Sequence, residues 1–478
     1  MDTSLDLVLA EFLKLAEIPR PSHHEEKIGA YLVSWAKAHG LAVQQDALGD
    51  VIIDKPAAPG CENAPKVLLQ AHMDMVCVAA EGVAFDPLHD PIQVIREGDL
   101  LRAKGTSLGA DDGIGVAMCL YVLAADHLRH GPLRAIFTVN EEDGMTSAQM
   151  DGKYLDGQYL INLDWEVDGS LCNSSAGSVF TRYTRKAAWE TPKPGQSAVR
   201  VRLKGLLGGH SGGDIHLGRA NALIALAGAL YHLAEEAVEF SLASFTGGQA
   251  RNAIPATAQA VIVSPEPDRV RQVLRDFEEK FKAAFAGVEP HAALLLEPVE
   301  VPEKVLDDKT AWDLVRLLLT LPCGVHTLSP FVPGLVESSQ NLGLLTMDDH
   351  TVTVAALMRS SALWREEELL RTSHLAASAL GFSWQQVSRT AGWAVDSESK
   401  LAPLTCAVYK EVTGRDMAIE PVHAGLECGA FSEKNPALDM VSFGPTLRDV
   451  HSPGETCDLA TVQTSTELLE RLLARLAE

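Results

Sequence analysis

Short apolar strands alternate with helices up to about Leu163 of this chain; the pattern then breaks off and returns after Gly392. "VIID" (Val51 to Asp54), "KVLLQA" (Lys66 to Ala71), "RAIFTV" (Arg134 to Val139) and "QYLINL" (Gln158 to Leu163) have strand length, and a helical pattern fills the gap between the second and third. Strands separated by helices pair in parallel, because a crossover carries the chain back to the same edge. The fold class expected is α/β with a mostly parallel sheet. Beyond Gly392 come the helix "LAPLTCAVYKEVTG", with Gly414 at its stop, the strand "DMVSFGP" running into a loop, and the closing helix "LATVQTSTELLERLLARLAE". The sheet domain is therefore expected to be discontinuous, built from residues 1–196 and 389–478.

The intervening residues 197–388 read as α+β. "SAVRVRL" alternates like a half-exposed strand, "ANALIALAGALYHLAEEA" is a helix, "QAVIVS" a strand and "VRQVLRDFEEKFKAAFAG" a helix. Strand "AALLLEPV", helix "TAWDLVRLLLTL", strand "TVTVAALM" and helix "REEELLRTSHLAASALG" then repeat that order. Two copies of one unit are expected, at about 197–285 and 290–385. Near the start, Ser22 with Glu25 three residues later predicts a capping box. The helix behind it carries Ile28, Tyr31, Leu32 and Trp35 on one face and stops at Gly40. His23 and His24 fall in its exposed first turn and read as surface residues.

With 478 residues the chain is too long for one core and predicts two or three domains. Its 40 basic and 64 acidic residues leave a net charge of -24. That argues against nucleic acid and membrane as partners, since both need basic patches. Eight scattered cysteines with no CxxC pair predict reduced thiols, not a disulfide framework. The start carries Asp2, Asp6 and Glu11 and no basic region, unlike a leader peptide. The longest apolar run, Ile114 to Ala125, is too short for a bilayer and suits a core helix. A cytoplasmic protein is expected.

Metal-ligand residue types follow the α/β strands. After "KVLLQA" come His72 and Asp74; "GTSLGADDGIGVA" places Asp111 and Asp112 at the mouth of the apolar helix. "RAIFTVN" delivers Glu141, Glu142 and Asp143, "QYLINL" delivers Asp164, and "DMVSFGP" leads to His451. Taken singly, each has a plain alternative: a histidine at a strand end, an aspartate capping a turn, an acidic solvated loop. Together they crowd one sheet edge, where open α/β sheets bind ligands. Histidine with carboxylate, and no cysteine required, suits zinc, cobalt or manganese. A metal lowers the pKa of bound water from about 16 to about 7, so one of two adjacent glutamates can bind metal while the other takes a proton. "GADDGIG" resembles a weak phosphate loop, but its acidic pair would repel phosphate.

"HMDMV", "LGADDGIGVA", "NEEDGM", "NLDWE", "GGHSGGDIHLGRANA", "HAGLECGAF" and "VHSPGE" are spread over residues 72 to 455. With these motifs in this order, the chain resembles the di-zinc metallopeptidases related to carboxypeptidases, aminoacylases and tripeptidases. Within them it most resembles the aminoacyl-histidine dipeptidase branch. The resemblance implies that His72 and Asp164 hold one metal, that Glu142 and His451 hold the other, and that Asp111 bridges the two. It makes Asp74 the partner of His72 and Glu141 the general base. Two divalent metals per chain are implied, zinc first, with cobalt or manganese as alternatives. Relatives can carry Asn where Asp112 stands, and whether Asp112 touches metal is left open.

The resemblance also assigns the insert, as a lid or dimerisation domain. "GGHSGG" follows its first strand, where the family places a histidine over the active site, here His210. The second copy lacks that motif but has "SSQNLG" with Asn341 and "VAALMRS" with Arg359. In relatives with one lid copy, one subunit supplies the histidine and the other an asparagine and an arginine. One chain here holds both sets. His210 would polarise the scissile carbonyl, and Arg359, with Asn341, would bind the substrate. His423 and Glu427 either line the pocket or support it. The activity implied is a metal-dependent dipeptidase, acting on Xaa-His and other unsubstituted dipeptides through a metal-activated water and Glu141. The rivals are an aminoacylase or tripeptidase, and a non-catalytic binding protein on the same fold. A homodimer is left open.

Overall fold

The computed structural model describes residues 3–478; Asp2, counted above among the acidic residues of the start, lies outside the described residues. The chain forms two compact units. Unit one runs to Ser175 and resumes with Trp393–Pro421 and Leu426–Glu478; unit two is Ala176–Gly392 with Val422–Gly425.

Unit one opens with helices α1 (Ser4–Ala16) and α2 (Glu26–Ala38) and strands β1 (Ala42–Gln45), β2 (Val51–Lys55) and β3 (Val67–His72). Helix α3 (Ala110–Ala124), strand β4 (Leu133–Thr138) and strand β5 (Tyr159–Asn162) follow. Unit two holds eight long strands: β6 (Gly177–Lys186), β7 (Ser197–Lys204), β8 (Ser241–Gly248), β9 (Ala258–Ser264), β10 (Ala293–Val299), β11 (Val336–Met347), β12 (Thr351–Ser360) and β13 (Ser383–Thr390). Its long helices are α4 (Ala222–Glu235), α5 (Pro267–Ala284), α6 (Asp308–Thr320) and α7 (Leu363–Ala379). The chain returns to unit one with α8 (Leu401–Thr413), β14 (Asp439–Ser442) and α9 (Leu459–Leu476).

The unit-one sheet has the order β1-β2-β4-β3-β5-β14. The four strands from β4 to β14 are parallel, and β1 and β2 close the edge antiparallel. Every residue of β3 and β4 is buried, as parallel strands covered on both faces require. Helix α3 is buried from Ala110 to Leu123, so a helix that is apolar from Gly113 onward lies inside the core. No helix among the described residues is long and apolar enough to cross a membrane.

Unit two is one nine-stranded antiparallel sheet ordered β10-β7-β9-β8-β11-β12-β6-β13, with Gly324–Leu328 also paired to β11. Read from its two edges inwards, it gives β10-β7-β9-β8 and β13-β6-β12-β11, the same arrangement twice. The halves meet where Gly247 faces Leu345 and Gly248 faces Leu344.

The repeat is real but its members differ from those expected. "AALLLEPV" is β10, and it pairs with β7 from Ala198↔Val299 to Lys204↔Ala293. It closes the first copy instead of opening the second. The second copy's first strand is β6, which precedes the first copy in the chain and pairs with β12 and β13. For that reason unit two begins at Ala176, ahead of the expected boundary at 197. The capping box is also absent: α2 starts at Glu26 with no side-chain cap, and His23, at φ 68, lies outside the helix.

Candidate functional site

The carboxyl ends of the parallel strands gather the expected residues in unit one. His72 closes β3, and its Nε2 lies 3.0 Å from Asp111 Oδ1 and 3.6 Å from Asp164 Oδ1. Asp111 turns its other oxygen, Oδ2, to His451 Nε2 at 3.0 Å, and that nitrogen is 2.9 Å from Glu142 Oε2. One carboxylate thus faces two histidine–carboxylate pairs. Ligand atoms of His72, Asp111 and Glu142 lie within 4.8 Å of one another, as do those of His72, Asp112 and Asp164. Glu141 belongs to neither group.

Asp74 holds this arrangement from behind. Fully buried, it stands 3.5 Å from His72 Nδ1 and accepts the backbone N–H groups of Glu141 (3.0 Å) and Glu142 (3.2 Å). Burial alone would raise its pKa, but hydrogen bonds from His72, Glu141 and Ser22 hold it at about 2. Asp112 accepts the backbone N–H of His72 (3.2 Å) through Oδ2 and that of Gly115 (3.2 Å) through Oδ1.

The site's charges are unbalanced. Burial, reinforced by neighbouring carboxylates, pushes Asp112 and Glu141 well above the usual carboxylate range, and Asp164 up to about 7. Two residues on, burial and the same carboxylates raise Glu166 to about 8. Asp111 goes the other way: burial is overridden by His451 and His72, which hold it low. Burial draws His72 down, yet Asp164, Asp111 and Asp74 raise it well above its ordinary value. Hydrogen bonds to Asp111 and Glu142 lift His451 to about 11. Carboxylates that outnumber histidines in a buried cluster need added positive charge. The donor set therefore fits a pair of divalent cations, with His72 and Asp164 on one side of Asp111, Glu142 and His451 on the other, and Asp112 within reach of the first.

Local sequence windows missed two contributors. Ser22 and Glu25 serve this site instead of capping α2: Ser22 Oγ donates to Asp74 Oδ2 at 2.7 Å, and Glu25 Oε1 accepts the N–H of Asn140 at 2.9 Å, just ahead of Glu141. The S-x-x-E pattern identifies polar groups needing partners; it carries no information about residues far along the chain. Glu427 is also in unit one. It is fully buried, and its Oε2 accepts from Gln70 Nε2 (2.6 Å) and Thr138 Oγ1 (2.7 Å).

His210, Asn341, Arg359 and His423 lie in unit two. His210 Nδ1 accepts the N–H of Gly213 at 3.1 Å, so in the neutral ring Nε2 carries the hydrogen. That Nε2 is 3.3 Å from Arg359 Nη2. Two donors face each other there, and an acceptor would satisfy both. Arg359 is 8% exposed, and its Nε has no hydrogen-bond partner among the described residues. Burial, with no carboxylate opposing it, lowers Arg359 to about 10. His423 bonds Ser339 Oγ at 2.7 Å and is pushed to about 3 by burial and by Arg359. Only glycine fits at position 212, where a Cβ would meet His423 O at 2.5 Å and Arg359 Nε at 3.1 Å. Asn341 is engaged within the sheet: Nδ2 donates to Ala253 O (2.8 Å), and Oδ1 accepts from Asn221 Nδ2 (3.3 Å).

A family model described as Peptidase family M20/M25/M40 matches residues 68–475. The cytosol non-specific dipeptidase of Escherichia coli (strain K12) is 37% identical over 465 residues, 97% of this chain and 96% of that protein. The crystal structure of aminoacylhistidine dipeptidase from Vibrio alginolyticus superposes with a TM-score of 0.92 at 36% identity, covering 98% of this chain and 96% of that one. A Staphylococcus aureus tripeptidase shares the fold, with a TM-score of 0.56 at 15% identity over 99% of this chain and 98% of that one.

Proposed function

The chain belongs to peptidase family M20/M25/M40 and is a hydrolase of peptide bonds; we propose that it is a two-metal dipeptidase acting on unsubstituted dipeptides, Xaa-His among them. One observation carries this reading: Asp111 offers one oxygen to each of two histidine–carboxylate pairs, and Glu141 stands outside both. His72, Asp164 and Asp111 would hold one ion and Asp111, Glu142 and His451 the other, zinc being the first choice for this donor set. When bound, the ions supply Lewis acidity toward water and toward the scissile carbonyl. Glu141 accepts the proton of the attacking water on its carboxylate and passes it to the leaving nitrogen. A carboxyl whose pKa is raised by burial is suited to both transfers. Asp74 keeps His72 and the Glu141–Glu142 turn in place.

In unit two, Arg359 and His210 are the candidate substrate groups. Arg359, buried without a counter-ion, binds the dipeptide's terminal carboxylate. His210, a neutral Nε2–H donor, stabilises the carbonyl oxygen as it gains charge. Asn341 and Glu427 act as braces, because their polar atoms are taken up by the protein. The acidic chain and its cytosolic relative support a cytoplasmic location.

The test is metal content and turnover measured on one purified sample. Two metals per chain, cleavage of free dipeptides and poor cleavage of tripeptides, N-acyl amino acids and C-terminal amides are expected. Preference for an N-acyl amino acid or a tripeptide would favour the aminoacylase or tripeptidase reading. Absence of turnover in the metal-loaded protein would leave a binding protein.

A further inference from the structure

Arg20 and Glu455 stand outside the ligand set. Each is 2% exposed, and each ends on backbone atoms. Arg20 Nη1 donates to the carbonyls of Met73 and Asp74 at 2.9 Å, and Nη2 to that of Gly109 at 2.5 Å. Glu455 grips the same turn through its amides. Oε2 accepts from Leu108 (2.6 Å) and Gly109 (3.0 Å), and Oε1 from Ala110 (2.8 Å) and Asp111 (3.4 Å). Donors at the start of a helix have no carbonyl within the helix to bond, and here one buried carboxylate accepts four consecutive N–H groups at and just before the start of α3. Gly109 has φ 68, and a Cβ on it would stand 2.7 Å from Arg20 Nη2. Glycine at 109 therefore leaves room both for Met75, whose Sδ would stand 2.6 Å from that Cβ, and for the Arg20 guanidinium.

The two charges tie that turn to different loops. Arg20 joins it to the end of β3, which carries His72 and Asp74. Glu455 joins it to the loop of His451, four residues earlier, and is rooted by the next strand, Thr456–Asp458, paired with Leu100–Ala103. We propose that Arg20 and Glu455 are positioning residues that set Asp111 separately against its two sides, Arg20 against His72 and Glu455 against His451. This rests on the two-metal reading. Loss of Arg20 then weakens the metal site of His72 and Asp164, and loss of Glu455 that of Glu142 and His451.

The test titrates the metal-free protein with Zn2+ by calorimetry and with Co2+ by absorption. The chains are wild type, Arg20→Met, Arg20→Lys and Glu455→Gln, each with and without His451→Ala. Wild type should take two equivalents; any other stoichiometry overturns the two-metal reading and this proposal with it. With two sites present, Glu455→Gln should weaken one by about 10–100-fold, the usual worth of a partner behind a ligand. It should add nothing in the His451→Ala background, because the same site is already damaged. Arg20→Met should weaken the other site by a similar factor and keep its full effect in that background, and Arg20→Lys should recover part of it. Wild-type affinities in the variants, or equal weakening of both sites by each, overturn the proposal. Thermal unfolding of the metal-free chains identifies a variant that does not fold. Arg20→Lys and Glu455→Asp then replace it, and the absence of site selectivity in them is equally fatal.

Discussion

Asp111 sits between two histidines, His72 and His451, whose Nε2 atoms must be free of protons to bind metal. The surrounding carboxylates raise His72 well above its ordinary value and His451 to about 11, so both hold a proton more tightly than a free imidazole does. The sign follows: a raised pKa means a proton held more tightly, and metal must displace it. Affinity should therefore rise with pH, by about tenfold per unit for each proton displaced between roughly pH 6 and 8. Zn2+ titrations in buffers of different ionisation enthalpy would count the protons; a pH-independent affinity would contradict that tighter hold. Glu141→Gln should lower kcat by about 10²–10⁴-fold with both metals retained, and loss of metal along with activity would mean Glu141 and Glu142 have exchanged roles. Arg359→Ala should mainly raise KM, by about 1.5–3 kcal/mol for a charge-assisted contact, and should erase the discrimination against amidated dipeptides. The candidate ligands His72, Glu142 and Asp164 were legible because each lies at or just after the end of an apolar strand; Asp111, at the mouth of α3, and His451, nine residues past β14, were named from motif resemblance. Arg20 and Glu455 were not, because their partners are backbone atoms, which leave no trace in residue type. Ser22 was misread because its partner, Asp74, lies far along the chain.

Most strands and helices were legible from periodicity, and two of the missed strands share a physical cause. β8, "SLASFTGG", and β11, "VESSQNLGLLTM", are rich in Ser, Gly and Asn, poor strand formers by composition. They persist because each is paired along both edges, at the seam between the two halves. The seam is tight: a Cβ on Gly248, at φ 80, would stand against the backbone of Gly343. Gly248→Ala should therefore destabilise unit two by about 1–3 kcal/mol through strain and overpacking. Thermal unfolding would measure it, and an unchanged midpoint would mean the strands separate freely there. β6 was lost for another reason. Its sequence, "GSVFTRYTRK", alternates well enough, but it lies ahead of the copy to which it does not belong.

Over the whole molecule, His210 and Arg359 stand 3.3 Å apart within one chain, each contributed by a different half of the repeat. Mixing equal amounts of His210→Ala and Arg359→Ala protein should then restore no activity, whatever the oligomeric state, whereas recovery toward a quarter or half of wild type would show residues shared between chains. The nesting of the halves also bears on how the chain reaches its native state. β6 waits for β12 while the entire first half is made in between. That first half begins and ends on neighbouring strands, β7 and β10, and its flanks are pinned where Trp189–Glu190 pair with Val305–Leu306. Once it has collapsed and its flanks are pinned, the spacer of roughly 160 residues between β6 and β12 behaves like one of roughly 50, which lowers the entropic cost of closing the outer half by about 1 kcal/mol. The inner half is thus a folding scaffold for the outer one, and a ribosome emitting this chain completes the inner half before it completes the outer.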